Sequence, residues 1–405
     1  MEGESAGVTA DCDGFEHAFP GEGVYSVSLV VADEAGEEES TTSDVEVRDL
    51  LIFGVGDSYG SGEGNPDVEV VDDADAQWQN LRCHRSALSG QVLAAQQLEE
   101  ADPHTSVTFV HLACSGGRVY EGLLDTYEGI VPDEDGGVAE PQIEVVAELA
   151  DGHEIDALFV SIGGNDINFS DVVKACVLGE KCHEDDPVID PVLSLAAGWV
   201  CGGLGAFEEA CETYFDTDAI EPETLDARQI FDVHSTAQDV NGLDIMQDGI
   251  DDLPMNYRSL DAKIEELLDV EPDQVFLAEI PDVTRDERGV TCGWPEGVPG
   301  LSDGLRAAIQ EVPGITQTEM QWASDHVLTM LRDAMRDSAA EHGWQFVDGV
   351  DPRFEGHGYC AAEPWLVRLQ NTFQIQGDSN GALHPNVPGH EAYAAAILDT
   401  WAATQ

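Results

Sequence analysis

From Leu50 onward, short apolar runs alternate with segments of helical spacing, and this alternation constrains the fold more than any other feature of the chain. LLIFGVG, which begins at Leu50, and IDALFVSIGG (155–164) are apolar runs bounded by glycines, the pattern of strands buried on both faces. VTFVHLAC (107–114), QVFLAEIPD (274–282) and WQFVDG (344–349) read as three further strands. Between them, QVLAAQQLEEA (91–101), PQIEVVAELA (141–150), RSLDAKIEELLD (258–269) and the stretch 317–342 read as helices, and a last helix covers 389–402. Strand–helix alternation predicts a doubly wound α/β domain, a parallel sheet covered on both faces, over residues 49–405. Residues 170–255, acidic and with four cysteines, show no clear period and read as an insertion. Ligands of such sheets bind beyond the carboxyl ends of the strands, so the loops after strands are where chemistry is expected.

Residues 1–48 follow another rule. GVYSVSLVVAD (23–33) places Tyr25, Val27, Leu29 and Val31 on one face, and TTSDVEVRD (41–49) reads as a second strand of a hairpin. Two strands do not stand alone. The pattern resembles the C-terminal hairpin of a PKD-type immunoglobulin-like module, whose first half the sequence lacks.

Charge excludes several functions. The chain carries 82 Asp plus Glu against 16 Lys plus Arg, a formal net charge of −66, which disfavours nucleic acid and anionic membrane surfaces as partners. Wholesale disorder is excluded as well, because 42% of residues are hydrophobic and the apolar runs recur. Only three basic residues are lysines, Lys174, Lys181 and Lys263. A carboxylate-rich, lysine-poor surface is what a folded protein needs in molar salt, where the Debye length is about 3 Å and self-repulsion is screened. No stretch has the roughly 20 apolar residues of a membrane span. The longest, 191–207, is shorter and broken by glycines.

The first residues lack the regions of a signal peptide. Nine scattered cysteines nevertheless favour disulfides and an oxidising compartment, and the combination suggests a late start site or a fragment. Among them, Cys12 falls in the hairpin piece. None forms a zinc-ligand spacing. The acidic runs 133–137 and 183–190 lack the ligand pattern of an EF-hand loop and read as solvated surface. No metal or cofactor is expected.

Gly56-Asp57-Ser58-Tyr59-Gly60, at the end of the first domain strand, fits G-x-S-x-G. Gly377-Asp378-Ser379-Asn380-Gly381 fits it too, but Ser379 follows a mixed polar stretch, whereas Ser58 follows a buried strand. A nucleophilic serine needs a base and an oxyanion hole. Ser115-Gly116-Gly117 and Gly163-Gly164-Asn165-Asp166 each follow a strand and offer backbone N–H groups and an uncharged amide donor. Asn165 could instead cap a helix. His384, in Leu383-His384-Pro385-Asn386-Val387-Pro388-Gly389-His390, is the candidate base, with His390 as its competitor. Asp57 and Asp166 read as loop-holding residues.

These four blocks, in this order, resemble those of the SGNH (GDSL-type) hydrolases, over roughly 50–405. The chain is most similar to their secreted actinomycete-type esterases and lipases, which also carry a PD segment (Pro281-Asp282) and a GHG-x-C…PW segment (Gly356-His357-Gly358-Tyr359-Cys360, Pro364-Trp365). The resemblance implies a three-layer α/β/α sandwich with a mostly parallel five-stranded sheet, and hydrolysis of carboxylic esters through an acyl-enzyme. Ser58 would be the nucleophile and His384 the general base and acid. The Ser58 and Gly116 N–H groups and the Asn165 side chain would form the oxyanion hole.

One position departs from the pattern. The family's usual acid, three residues before the histidine, is Gly381 here. Either the Gly381 carbonyl orients the imidazole, as in relatives with a Ser–His dyad, or Asp378 does if the loop folds back. The resemblance also implies the pairs Cys83–Cys114, Cys176–Cys182 and Cys292–Cys360, with Cys201 and Cys211 remaining as a fourth. The expected activity is that of a secreted or cell-surface, salt-adapted esterase or lipase, with 191–207 as a possible acyl-binding cap. The alternatives are a carbohydrate O-acetylesterase and a non-catalytic cell-surface binding module.

Overall fold

The computed structural model describes residues 17–33, 35–71, 74–132, 136–169, 172, 242–293 and 315–404. Cys12, Cys176, Cys182, Cys201 and Cys211, the two pairs drawn from the last four, and the stretch 191–207 lie outside the described residues, as do the acidic residues 133–135 and 183–190.

Strand β1 (Gly23–Ala32) pairs antiparallel with the first half of β2 (Glu38–Gly56). The second half of β2 then enters a parallel sheet with β3 (Thr105–His111), β4 (Ala157–Ser161), β5 (Val275–Ala278) and β6 (Gln345–Val347). The five parallel strands lie in the order β3-β2-β4-β5-β6, so the chain winds outward from β2 in both directions. The hairpin and the domain are thus joined by one continuous strand. Val24, Val27, Leu29, Val30 and Val31 of β1 are all exposed, while Tyr25 is half-buried under the Phe19 ring, 4.7 Å away.

Side-chain alternation along the strands builds two cores. Phe53, Val55, Leu158, Val160, Val275 and Leu277 face one side. There they meet α3 (Gln142–Ala150), α4 (Gly242–Leu267) and α6 (Thr329–His342). Ile52, Ala157, Phe159, Phe276 and Ala278 face the other. These pack against α2 (Gly90–Ala101), α7 (Val350–Phe354) and α9 (Val387–Thr404). The period of two in each strand therefore produces a three-layer α/β/α sandwich.

Local chemistry sets the helix ends. Ser89 caps α2 by accepting from the Val92 N–H, and α3 stops where Asp151 turns left-handed at φ 50°. Thr316 and Glu319 form a reciprocal capping box at α5 (Gln317–Trp322). A π-helical turn, Ala323–Leu328, then joins α5 to α6, so the single helix expected over 317–342 is interrupted in its first half.

Helix α4 starts sixteen residues before Arg258, where the sequence pattern places its beginning. Met246, Ile250, Leu253, Tyr257, Leu260 and Ile264 recur at helical spacing and are buried in the core, so the helix begins at Gly242, inside the stretch read as insertion. Pro254 lies within it, and a proline there reads as a helix boundary in a sequence. No helix of the described residues is long and apolar enough to cross a membrane.

Candidate active site

The carboxyl ends of β2, β3 and β4 lie side by side and carry the first three loops. β2 ends at Gly56, whose φ of +135° is open to glycine and whose added Cβ would stand 2.0 Å from the Ser161 carbonyl oxygen on β4. The Gln142 side chain brackets the Gly56 peptide, with Oε1 accepting from its N–H at 2.8 Å and Nε2 donating to its carbonyl at 2.9 Å. This fixes the strand end just before the nucleophile candidate. Asp57 then caps the single-turn helix α1 (Ser58–Ser61) by accepting from the Tyr59 N–H, and it accepts from the Ser161 hydroxyl at 3.1 Å. Burial pushes the Asp57 carboxyl up to about 7, and Asp166 nearby adds to the rise. The residue is a loop-holding carboxylate that touches neither ring nitrogen of His384.

His384 approaches from the far end of the chain. Its Nε2 stands 2.8 Å from the Ser58 Oγ, and its Nδ1 stands 3.2 Å from the Ala382 carbonyl oxygen. A ring protonated at Nδ1 satisfies both contacts, donating to Ala382 and accepting from Ser58. The Nδ1 atom thus faces the Ala382 carbonyl rather than that of Gly381, which accepts instead from the backbone N–H of His384 at 3.1 Å. Asp378 does not reach the ring either: its Oδ1 accepts from the Gln376 side chain and the Asn380 N–H. The loop turns too tightly for the expected contact, because Gly381 packs against Gln376 and Thr372 with no room for a Cβ.

Several bonds hold that loop. Val367 donates to the His384 carbonyl and accepts from Leu383, while Asn386 donates its N–H to Trp365. Trp365 is itself stacked on His357, with ring centroids 4.0 Å apart. Leu383, directly before the histidine, sits at φ 66°, a costly conformation for a branched residue, and the Tyr59 hydroxyl donates to its carbonyl at 2.9 Å. Burial lowers the affinity of His384 for a proton, and the charge of Glu63 offsets part of that.

The glycine loops assemble next to Ser58. Cys114 donates its N–H to the Gly56 carbonyl, and Cys83–Cys114 forms a disulfide at the root of the Ser115-Gly116-Gly117 turn. Gly116 has φ +82°, and a Cβ there would collide with the Tyr127 hydroxyl at 2.1 Å. Asn165 reaches this turn: its Nδ2 donates to the Gly117 carbonyl at 3.0 Å. Asp166 accepts from the Val119 N–H and from Asn256, tying the third loop to α4. Two other candidates fall elsewhere. His390 is fully buried, its Nδ1 accepting from the Gly90 N–H on α2. Ser379 occupies a turn in which its carbonyl accepts from Ala382.

A buried polar cluster behind the histidine has no counterpart in the sequence reading. Glu63 and His84 are buried, with the His84 Nδ1 2.9 Å from Glu63 Oε1 and its Nε2 3.8 Å from Asp378 Oδ2. His84 stacks on Trp78 with centroids 4.5 Å apart. Burial works against both charges, yet the pair holds the carboxyl below and the imidazole above their ordinary values. Ligand atoms of Glu63, His84 and Asp378 lie within 4.8 Å of one another, a spacing a cation could use. The imidazole already stands between the two carboxylates, and the Gln376 amide donates to both at 2.6 Å, so their charges are answered from within the protein. A sequence signal existed in Glu63 and His84 only as two polar residues in glycine- and serine-rich loops.

No family model and no curated protein matches the chain. Solved structures do align with it. An extracellular lipase from Streptomyces rimosus is 18% identical, with 88% of this chain and 100% of that one covered and a TM-score of 0.44. A native aryl esterase from M. smegmatis is 10% identical over 89% and 100%, with a TM-score of 0.32. A carbohydrate acetylesterase family member from Sinorhizobium meliloti is 10% identical over 87% and 98%, also at 0.32.

Proposed function

We propose that this chain is a serine hydrolase of carboxylic esters, working through a Ser58–His384 dyad. The observation that carries the reading is the 2.8 Å contact between Ser58 Oγ and His384 Nε2 at the carboxyl end of β2. His384 Nε2 takes the hydroxyl proton as Oγ attacks the ester carbonyl. The oxyanion that forms accepts from the Ser58 and Gly116 backbone N–H groups and from Asn165 Nδ2, an amide with one hydrogen on Gly117 and a second for substrate. Collapse expels the alcohol with the proton from Nε2, and water repeats the sequence on the acyl-enzyme. The Ala382 carbonyl orients the imidazole and carries no charge to stabilise it.

Salt adaptation belongs to the same proposal and rests on the −66 net charge and the three lysines. An extracellular or cell-surface setting is supported by the disulfides Cys83–Cys114 and Cys292–Cys360. The test is hydrolysis of short-chain nitrophenyl esters in molar salt. Wild type is expected to turn over and Ser58→Ala to be inert with its fold intact, whereas full activity in Ser58→Ala contradicts the reading. A series of acyl lengths, run beside acetylated polysaccharide, separates a lipase from a carbohydrate O-acetylesterase.

A further inference from the structure

We propose that Glu63 is a positioning residue that supplies through space the negative charge the histidine loop lacks at Gly381, and that it locks the Ser58, Gly116 and His384 loops in register. The inference rests on the ester-hydrolase reading and goes beyond the dyad.

The geometry places Glu63 at the junction of the site. It stands just past the Gly62 cap of α1, and its N–H donates to the Ser58 carbonyl at 3.1 Å, so it moves with the nucleophile. Its carboxylate accepts from Ser115, the neighbour of Gly116, which ties it to the oxyanion loop. Through Oε1 it accepts from Gln376 Nε2, at the root of the histidine loop. Gln376 returns along the same path, with its Oε1 accepting from the Gly64 N–H at 3.1 Å. Gly64 in turn abuts the ring-bearing residue, since a Cβ there would stand 3.1 Å from His384 Cβ.

A buried carboxylate is costly to leave unpaired. His84 and Gln376 keep this one ionised, although nothing in the Ser58–His384 contact itself requires either residue. In a water-poor site, a fixed negative charge near an imidazole favours the imidazolium that forms as Ser58 is deprotonated. The ionisable groups facing His384 are Glu63 and His84 from the nucleophile side, His390 on α9, and the Tyr59 ring at 5.3 Å, while Asp378 on its own loop is bonded to Gln376 and Asn380 instead. Of these, Glu63 is the carboxylate fixed by contacts to the Ser58, Gly116 and His384 loops. His84 opposes it with a weaker effect on the ring.

Comparing Glu63→Gln with wild type in kcat/KM across about pH 5 to 9 tests this, because that profile reports the free enzyme's base. Removing the charge is expected to lower the plateau about tenfold or more and to move the acid limb down by about one pH unit. A plateau that falls with the limb unmoved marks a purely structural residue and overturns the proposal, as does a profile that changes in neither respect. The neutral pair Glu63→Gln/His84→Gln guards against a folding defect from a stranded His84 charge, and a limb shift in the same direction but smaller is expected of it, because the opposing His84 charge goes too. Wild type that neither hydrolyses esters nor takes a fluorophosphonate defeats the ester-hydrolase reading and this inference with it. Wild type that does both, beside an unshifted variant, defeats this inference alone.

Discussion

His384 Nε2 lies 2.8 Å from Ser58 Oγ although the two residues are 326 positions apart. That contact depends on two loops that come from opposite ends of the domain's sequence and are held separately. Asp57, Gln142 and the tight crossing of Gly56 over Ser161 fix the serine, and the strip Trp365–Val367 fixes the histidine.

Gly56 is the position least open to substitution. Gly56→Ala forces a Cβ to within 2.0 Å of the Ser161 carbonyl at a φ that L-residues avoid. The expected loss is about 3 kcal/mol or more of stability, together with activity, read by denaturant unfolding and ester turnover.

Asp378 separates a dyad from a triad. Its carboxylate bonds Gln376 and Asn380, and the imidazole leans on the Ala382 carbonyl. Asp378→Asn is therefore expected to keep kcat within about threefold, where loss of a true triad acid costs about ten-thousandfold.

The Cys83–Cys114 bridge closes a segment with a sequence separation of 31 and roots the Gly116 turn. Cys83→Ala/Cys114→Ala is expected to lose about 3–4 kcal/mol by the loop-entropy relation. Its acyl-transfer rate should also fall further than a comparably destabilised variant of the Cys292–Cys360 bridge, which rate measurements well below the unfolding transition will show.

His390 gives the stability a pH dependence of known sign. Burial lowers its pKa from 6.5 to about 4, so the unfolded chain takes up a proton that the native state refuses. Its contribution is complete above pH 6.5 and is lost as pH falls toward about 4, by roughly 1.4 kcal/mol per unit. His390→Asn keeps an acceptor for the Gly90 N–H but cannot titrate, so its unfolding free energy should fall less steeply over that interval.

The strands were legible because each is a run of apolar residues ended by glycine or a polar loop, and burial on both faces leaves that pattern little latitude. Leu50–Gly56 and Ala157–Ser161 are read from composition alone. The motif-bearing loops around Ser58, Gly116, Asn165 and His384 were legible as segments, and in the structure Ser58 and His384 come into contact. What stayed hidden depends on contacts between distant segments. The first half of α4 is masked by Asp248, Asp251, Asp252 and Pro254, although its buried face is regular. The choice between the Gly381 and Ala382 carbonyls turns on one residue of loop geometry, set by packing against Thr372 and Gln376. Glu63 and His84 form a pair only after folding, and neither lies in a motif with a known chemistry.

The central claim is that Ser58 attacks an acyl carbon with His384 as its base. Labelling the full chain with a fluorophosphonate in molar salt, followed by peptide mapping, tests it most directly. The account predicts a single adduct on Ser58, abolished by His384→Ala. An adduct on Ser379 or another residue, or no adduct in a chain that hydrolyses esters, would contradict it.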